Sequence, residues 1–120
     1  MGSEPKSTLP LSEVIRRLCD VMARSVAKHE VRDHRRRGCM AGIGICRTLT
    51  TVADFERVLA EREKHDLALR DAKVPIDEYW EARCATAQVE YAYEVVKVAC
   101  GGYASYSSRA VMQFHQLLGN

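Results

Sequence analysis

Apolar side chains recur along the first third of the chain at the spacing of one face of an α-helix. At 100° per residue, the apolar positions between residues 11 and 29 stay on one side of a helix for about five turns. Only three prolines and seven glycines occur in 120 residues, so few positions oppose helix formation. The sequence therefore predicts an amphipathic first helix. Its predicted buried stripe comprises Leu11, Val14, Ile15, Leu18, Met22, Val26 and His29.

Capping and breaking residues divide the rest of the chain into further helices. Thr51 and Asp54 have the spacing of a capping box, Pro75 suits the first position of a helix, and Gly101 and Gly102 suit a helix end. We therefore predict an all-α fold, a compact bundle of about four helices. The helices are expected over roughly residues 11–36, 51–73, 75–100 and 108–118, with a short apolar, glycine-rich connector at 38–49.

The helix predicted over residues 75–100 is apolar on two sides, which is typical of a helix at the centre of a bundle. One face carries larger side chains, and the other carries small ones that would let a neighbour approach closely. The helix before it has a narrow apolar stripe and should be the most exposed, with Arg62 and Asp66 on its outer surface. The larger face comprises Ile76, Trp80, Cys84, Ala87, Tyr91, Val95 and Val98, and the smaller one Ala85, Val89, Ala92, Val96 and Ala99.

The length of the chain suits one domain. We expect a flexible leader over residues 1–9 and a single helical domain over 10–120. No apolar run approaches the roughly 18 residues that cross a bilayer, so no membrane association is expected. The five cysteines are an odd number in a chain that is 47% hydrophobic, which favours reduced thiols in the cytoplasm over a secreted disulfide scaffold.

Positive charge is concentrated around the end of the first predicted helix. Residues 16–37 carry a net charge of +5, although the whole chain carries only +2. Several of these cations are spaced by seven or four residues, which predicts a basic stripe beside the apolar one. Because the apolar stripe ends at residue 29, the end of the helix should project from the core. The basic residues of interest are Arg17, Arg24, Lys28, Arg32, Arg35, Arg36 and Arg37.

This basic surface has two interpretations. It could bind an acidic protein surface or the phosphates of a nucleic acid. It could also be an ordinary solvated helix face whose last arginines offset the helix dipole. The aromatic residues lie elsewhere, between residues 79 and 106, so a base-stacking platform is not indicated. Candidate interface aromatics are Tyr79, Tyr93, Tyr103 and Tyr106.

A metal site is a further hypothesis, because His29, His34, Cys39 and Cys46 are all zinc-ligand types. Their spacing lacks the short Cys-to-Cys repeats of zinc knuckles. On a continuous helix the two histidines would also diverge by about 140°. No spacing typical of a catalytic triad, a nucleotide-binding loop or an acid–base pair occurs, so we expect neither an enzyme nor a cofactor.

These observations favour a non-enzymatic, small regulatory or inhibitor-type binding protein, comparable in type to those of phages and viruses. It would contact a protein or a nucleoprotein complex through the basic side of the first helix. One alternative is direct, sequence-nonspecific nucleic-acid binding through the same arginines and lysine. Another is a small zinc-binding protein using the four ligand-type residues. A homodimer would also suit a chain whose long helix needs cover on two sides.

Overall fold

The computed structural model describes residues 9–102 and 108–119, and these residues form five helices and no strands. Tyr103 and Tyr106 lie outside the described residues. The predicted all-α bundle is thus confirmed in class, with five helices in place of about four. The helices are α1 (Leu11–His29), α2 (Asp33–Cys46), α3 (Val52–Asp71), α4 (Ile76–Ala99) and α5 (Ser108–Gly119).

The first predicted helix is divided in two. α1 ends at His29, and the chain reverses over residues 30–32 before α2 begins at Asp33. A continuous helix over 11–36 and a connector at 38–49 are therefore wrong. A straight helix over residues 11–46 would be about 54 Å long and would carry its second half past the core. The reversal instead packs α2 on α1, where the buried thiol of Cys19 lies 4.0 Å from the carbonyl oxygen of Ile43.

α2 runs along α4 in the same direction and at very short range. Gly38 of α2 is nearest to Glu81, and Gly42 is nearest to Ala85. A Cβ atom on Gly42 would lie 2.4 Å from the carbonyl oxygen of Ala85, so the two backbones are in direct contact. Ala85 belongs to the small-residue face of α4. That face does receive a close neighbour, as expected. The neighbour is α2, which includes most of the segment expected to be a connector.

α4 contacts each of the other four helices, which confirms its central position. α3 packs antiparallel to it and begins at the predicted capping box. The Thr51 hydroxyl accepts a hydrogen bond from the Asp54 N–H, and the Asp54 carboxylate accepts one from the Thr51 N–H. α5 packs on α4 and on α1. The fully buried core side chains include Leu18, Ile43, Phe55, Val89, Val95 and Val96.

Four residues expected to face the core are exposed. His29 occupies a core-facing position on α1, but α1 extends past its neighbours there and the imidazole is in solvent. On the larger apolar face of α4, Ile76 is 65% exposed and Trp80 is 46% exposed. Ala87 on the same face is exposed as well, so the other helices cover this face only in part.

Candidate functional site

Four helix ends meet at one end of the bundle. α1 ends and α2 begins there, joined by the reversal at residues 30–32. α2 and α4 run in the same direction, so α4 also begins there. Two contacts with α4 show that α3 also ends there. Asp66 near the end of α3 bonds to Arg83 in the first half of α4, whereas Glu56 near the start of α3 bonds to Tyr93 in the second half. We call residues 28–37 at this end the basic tip.

The reversal divides the predicted basic stripe between two helices. Arg24 and Lys28 remain on α1, whereas Arg35 lies in the first turn of α2. Arg35 is half-buried and precedes the buried residues Cys39 and Gly42 by four and seven positions, so it lies on the core-facing side of α2. A single stripe that continues through Arg35 is therefore wrong.

The position of the three consecutive arginines also changes their electrostatic role. Arg35 and Arg36 lie in the first turn of α2 and Arg37 directly follows, at the end of the helix where the dipole is positive and cations are unfavourable. In that turn their positions do not offset the dipole of α2, although the Arg36 side chain reaches back to the carbonyl oxygen of Glu30 at the end of α1. Asp33 is the acidic residue in that turn.

Three of the predicted basic residues hold helices together. The Arg17 guanidinium donates to a backbone oxygen near the end of α5 at 3.0 Å. The Arg36 guanidinium donates to the carbonyl oxygen of Glu30 at 2.7 Å and so satisfies a group at the end of α1. Arg37 pairs with Glu81 at 3.1 Å and ties α2 to α4. These arginines are therefore occupied by structural contacts.

The other four predicted basic residues have no such contacts. Within residues 9–102 and 108–119, no carboxylate oxygen lies within 4 Å of the charged nitrogens of Arg24, Lys28, Arg32 or Arg35. Arg24, Lys28 and Arg32 are exposed. The basic tip thus presents cations whose charge is not neutralised inside the described part of the chain.

Exposed apolar side chains accompany these cations. Val31, in the reversal itself, is 78% exposed, and Ile76 and Trp80 lie at the same end of the bundle. The Trp80 ring meets the half-buried Tyr79 ring edge-on, with 5.5 Å between centroids. Sequence reasoning missed Val31 as a surface residue, although its position on the polar side of the predicted first helix was a usable signal. Aromatic and arginine side chains are enriched in protein interfaces.

Tyr93 is not available as an interface aromatic. Its hydroxyl donates to a Glu56 carboxylate oxygen at 2.7 Å, and the Lys97 ammonium lies 4.2 Å from its ring centroid. Its ring also stacks on Phe55 at 6.5 Å. Tyr93 therefore joins α3 to α4, whereas Tyr79, in the first turn of α4, lies at the same end of the bundle as the basic tip.

The structure does not assemble the four zinc-ligand candidates. His29 and His34 lie in different helices, whereas Cys39 and Cys46 are buried about 10 Å apart along α2. In the part of the chain that is described, no three or more His, Cys, Asp or Glu side chains are grouped to hold a metal ion.

Each of the two buried cysteines of α2 instead lies beside another thiol. Cys46 and Cys19 are close enough for their thiols to interact, which together with burial raises the pKa of Cys46 far above its usual value, whereas the Cys46 thiol lowers the pKa of Cys19. Cys39 lies beside Cys84, and its pKa is raised by burial and by that neighbouring thiol. All five cysteines are free thiols.

A buried ionic cluster joins α3 to α4. Asp66 is only 4% exposed, and its Oδ2 accepts hydrogen bonds from Arg83 and from the Thr86 hydroxyl, each at 2.7 Å. Arg62 donates to Thr86 at 3.2 Å and to the Ala82 carbonyl oxygen at 3.0 Å. The expectation that Arg62 and Asp66 lie on an outer surface is wrong, because α4 packs over that side of α3. The cluster is a structural contact between helices.

Comparison with known proteins finds no relative of this chain. No family model, no curated protein and no solved structure matches this chain. None of the described helices is both long enough and apolar enough to span a membrane. Any assignment of function must therefore come from the surface of this molecule.

Proposed function

We propose that this chain is a small, non-enzymatic binding protein that contacts an acidic surface of a partner protein through its basic tip. One observation carries the proposal. Lys28, Arg32 and Arg35 lack carboxylate partners in the described chain, and the 78% exposed Val31 lies among them in the sequence. A regulatory or inhibitor-type role, on a protein or on a nucleoprotein complex, suits a binding surface of this kind.

Electrostatics supports an acidic partner. Cations in the first turn of α2 meet the positive end of the helix dipole, and this arrangement costs free energy in the isolated protein. A carboxylate placed beside Arg32 and Arg35 would be attracted both by the two guanidinium groups and by the dipole of α2. The basic tip therefore gains more from an anionic partner than an ordinary solvated face would.

The apolar residues favour a protein over a nucleic acid as partner. Val31, Ile76 and Trp80 offer apolar area at the same end of the bundle as the cations. A nonspecific contact with a phosphate backbone uses cations alone. A protein interface combines a desolvated apolar centre with charged residues at its rim. The combination found here fits the second description.

The test compares two triple variants with the same change in charge. The first, K28Q/R32Q/R35Q, removes the unpaired cations of the basic tip. The control, R47Q/R57Q/K64Q, removes three cations elsewhere: Arg47 follows the far end of α2, and Arg57 and Lys64 lie on α3. Each full-length protein is immobilised and used for affinity purification from the source cells, with and without nuclease.

We expect a partner protein that the wild type and the control retain, that K28Q/R32Q/R35Q loses, and whose retention survives nuclease treatment. Equal retention by all three proteins would contradict the proposal. Retention that nuclease abolishes would contradict it in favour of direct nucleic-acid binding, which should also weaken steeply as salt is raised.

A further inference from the structure

A groove of about 280 Å³ lies between α1 and α5, with α4 as its floor. None of the residues that line it belongs to the basic tip. One side is apolar and is formed by the buried Met22 and Val26 of α1 together with Ala87 of α4. Ala87 itself is exposed, and its small side chain leaves the floor of the groove open.

The opposite side of the groove is polar and ordered by internal contacts. The Tyr91 hydroxyl donates to Oε1 of Gln113 at 3.0 Å, which joins α4 to α5 across the groove. Burial raises the pKa of Tyr91, so the hydroxyl keeps its proton and remains a donor. The guanidinium carbon of Arg109 lies 4.9 Å from the centroid of the Tyr91 ring. This cation–π contact places the guanidinium at the groove.

The charge of Arg109 is not neutralised by a side chain of the described residues. No carboxylate oxygen in residues 9–102 and 108–119 lies within 4 Å of its guanidinium nitrogens. The planar guanidinium group, with its parallel N–H donors, matches the geometry of a carboxylate. The groove thus combines an apolar wall, a single unpaired cation and a few hydrogen-bonding groups, which is the usual composition of a small-molecule site.

We propose that this groove binds a small aromatic carboxylate. The aromatic body would lie against Met22, Val26 and Ala87, and the carboxylate would pair with Arg109. The volume is just below the roughly 300–1,000 Å³ of sites for drug-sized ligands, so the ligand should be small. This site is separate from the basic tip, and the inference does not depend on the proposed function.

The test uses 2-naphthoate as the probe and the full-length, ¹⁵N-labelled protein. We expect amide shifts on titration that are confined to residues lining the groove, such as Ser25, Gln88 and Gln113. The neutral analogue 2-naphthamide should bind about tenfold more weakly, since it cannot form the charged pair with Arg109.

Two variants and two matched controls test the location. A87F fills the groove and should abolish binding, whereas A60F places the same side chain at an exposed alanine of α3 and should leave it unchanged. R109Q should weaken binding of 2-naphthoate about tenfold and leave 2-naphthamide unaffected, whereas R57Q should change neither. Thermal unfolding of each variant checks that it is folded.

Three results would overturn the proposal. The first is the absence of 2-naphthoate binding at millimolar concentration, and the second is binding that A87F does not reduce. The third is equal binding of the acid and the amide, or an unchanged affinity in R109Q, because either would show that the groove does not select an anion.

Discussion

A Cβ atom placed on Gly38 would lie 2.2 Å from the carbonyl oxygen of Glu81 and 2.9 Å from the Cβ atom of Cys84. A bonded carbon does not approach a non-bonded oxygen or carbon atom so closely, so only glycine permits the observed contact between α2 and α4 at this position. The same holds one turn later, at Gly42. The two glycines therefore set the distance between these helices, and with it the location of the basic tip beside the start of α4.

Substitution of either glycine should show this constraint. We expect G38A and G42A each to lower the free energy of unfolding by about 2–4 kcal/mol, because α2 must move away from α4. G44A is the matched control. Gly44 lies in the same helix with open space around it, so alanine there should stabilise by up to about 1 kcal/mol. Urea unfolding followed by circular dichroism measures all three, and equal effects at positions 38 and 44 would contradict the packing.

Acid should destabilise the protein partly through Glu13. Hydrogen bonds from Arg16 and Arg17 lower the pKa of Glu13 from 4.5 to about 2. Because the folded state holds the proton less tightly than the unfolded state, this contribution is present above about pH 4.5 and is lost as the pH falls towards 2.

The variant E13Q should accordingly show a flatter dependence of unfolding free energy on pH between 4.5 and 2 than the wild type. E63Q, at an exposed position of α3 with no ion pair in the described chain, is its control and should keep the wild-type slope. Urea midpoints measured across that pH range decide the matter. A wild-type slope in E13Q would show that the ion pairs of Glu13 do not contribute.

The buried cluster of α3 and α4 should be sensitive to loss of its acid. D66A leaves Arg83 and Arg62 without their carboxylate, and the helices stay packed around these cations. We expect a loss of about 2–4 kcal/mol, since both arginines retain some contact with solvent. D71A, at an exposed residue at the end of α3, should change stability by less than about 0.5 kcal/mol. Comparable losses in both variants on thermal unfolding would contradict this role of Asp66.

Four of the five thiols should react with N-ethylmaleimide in a fixed order. Cys100 is exposed and should be modified first, followed by the half-buried Cys84. Cys19 and Cys46 are fully buried, and the pKa of Cys46 is raised, so both should react only when the protein unfolds. Peptide mass spectrometry after timed quenching gives the order in native buffer and in urea. Early modification of Cys46 in native buffer would contradict the packing of α2 on α1.

Several local features follow from the sequence alone. The capping box at Thr51 and Asp54, the break before Ile76 and the two-sided character of α4 are all present in the structure. Each depends on residues that lie close together in the chain: a hydroxyl three positions from an acid, a proline at a helix start, or small side chains at helical spacing. Short-range steric and hydrogen-bonding preferences are enough to specify them.

The candidate site is different, because its residues are placed by contacts between distant segments. Residues 30–32 include no glycine or proline, so no local signal ends α1 there. The helix ends because the reversal allows Gly38 and Gly42 to pack on α4. Asp66 is buried because Arg83 and Thr86 of another helix meet it.

The basic stripe shows most directly what the sequence determined and what the tertiary structure decided. Sequence determined that cations are concentrated between residues 16 and 37 and that apolar positions share one side of α1. Tertiary structure decided that Arg17, Arg36 and Arg37 are engaged in holding helices, while Lys28, Arg32 and Arg35 are left beside an exposed Val31. The physical reason is that helical periodicity specifies which residues share a side of a helix. Only the packing of the other helices decides whether anything covers that side.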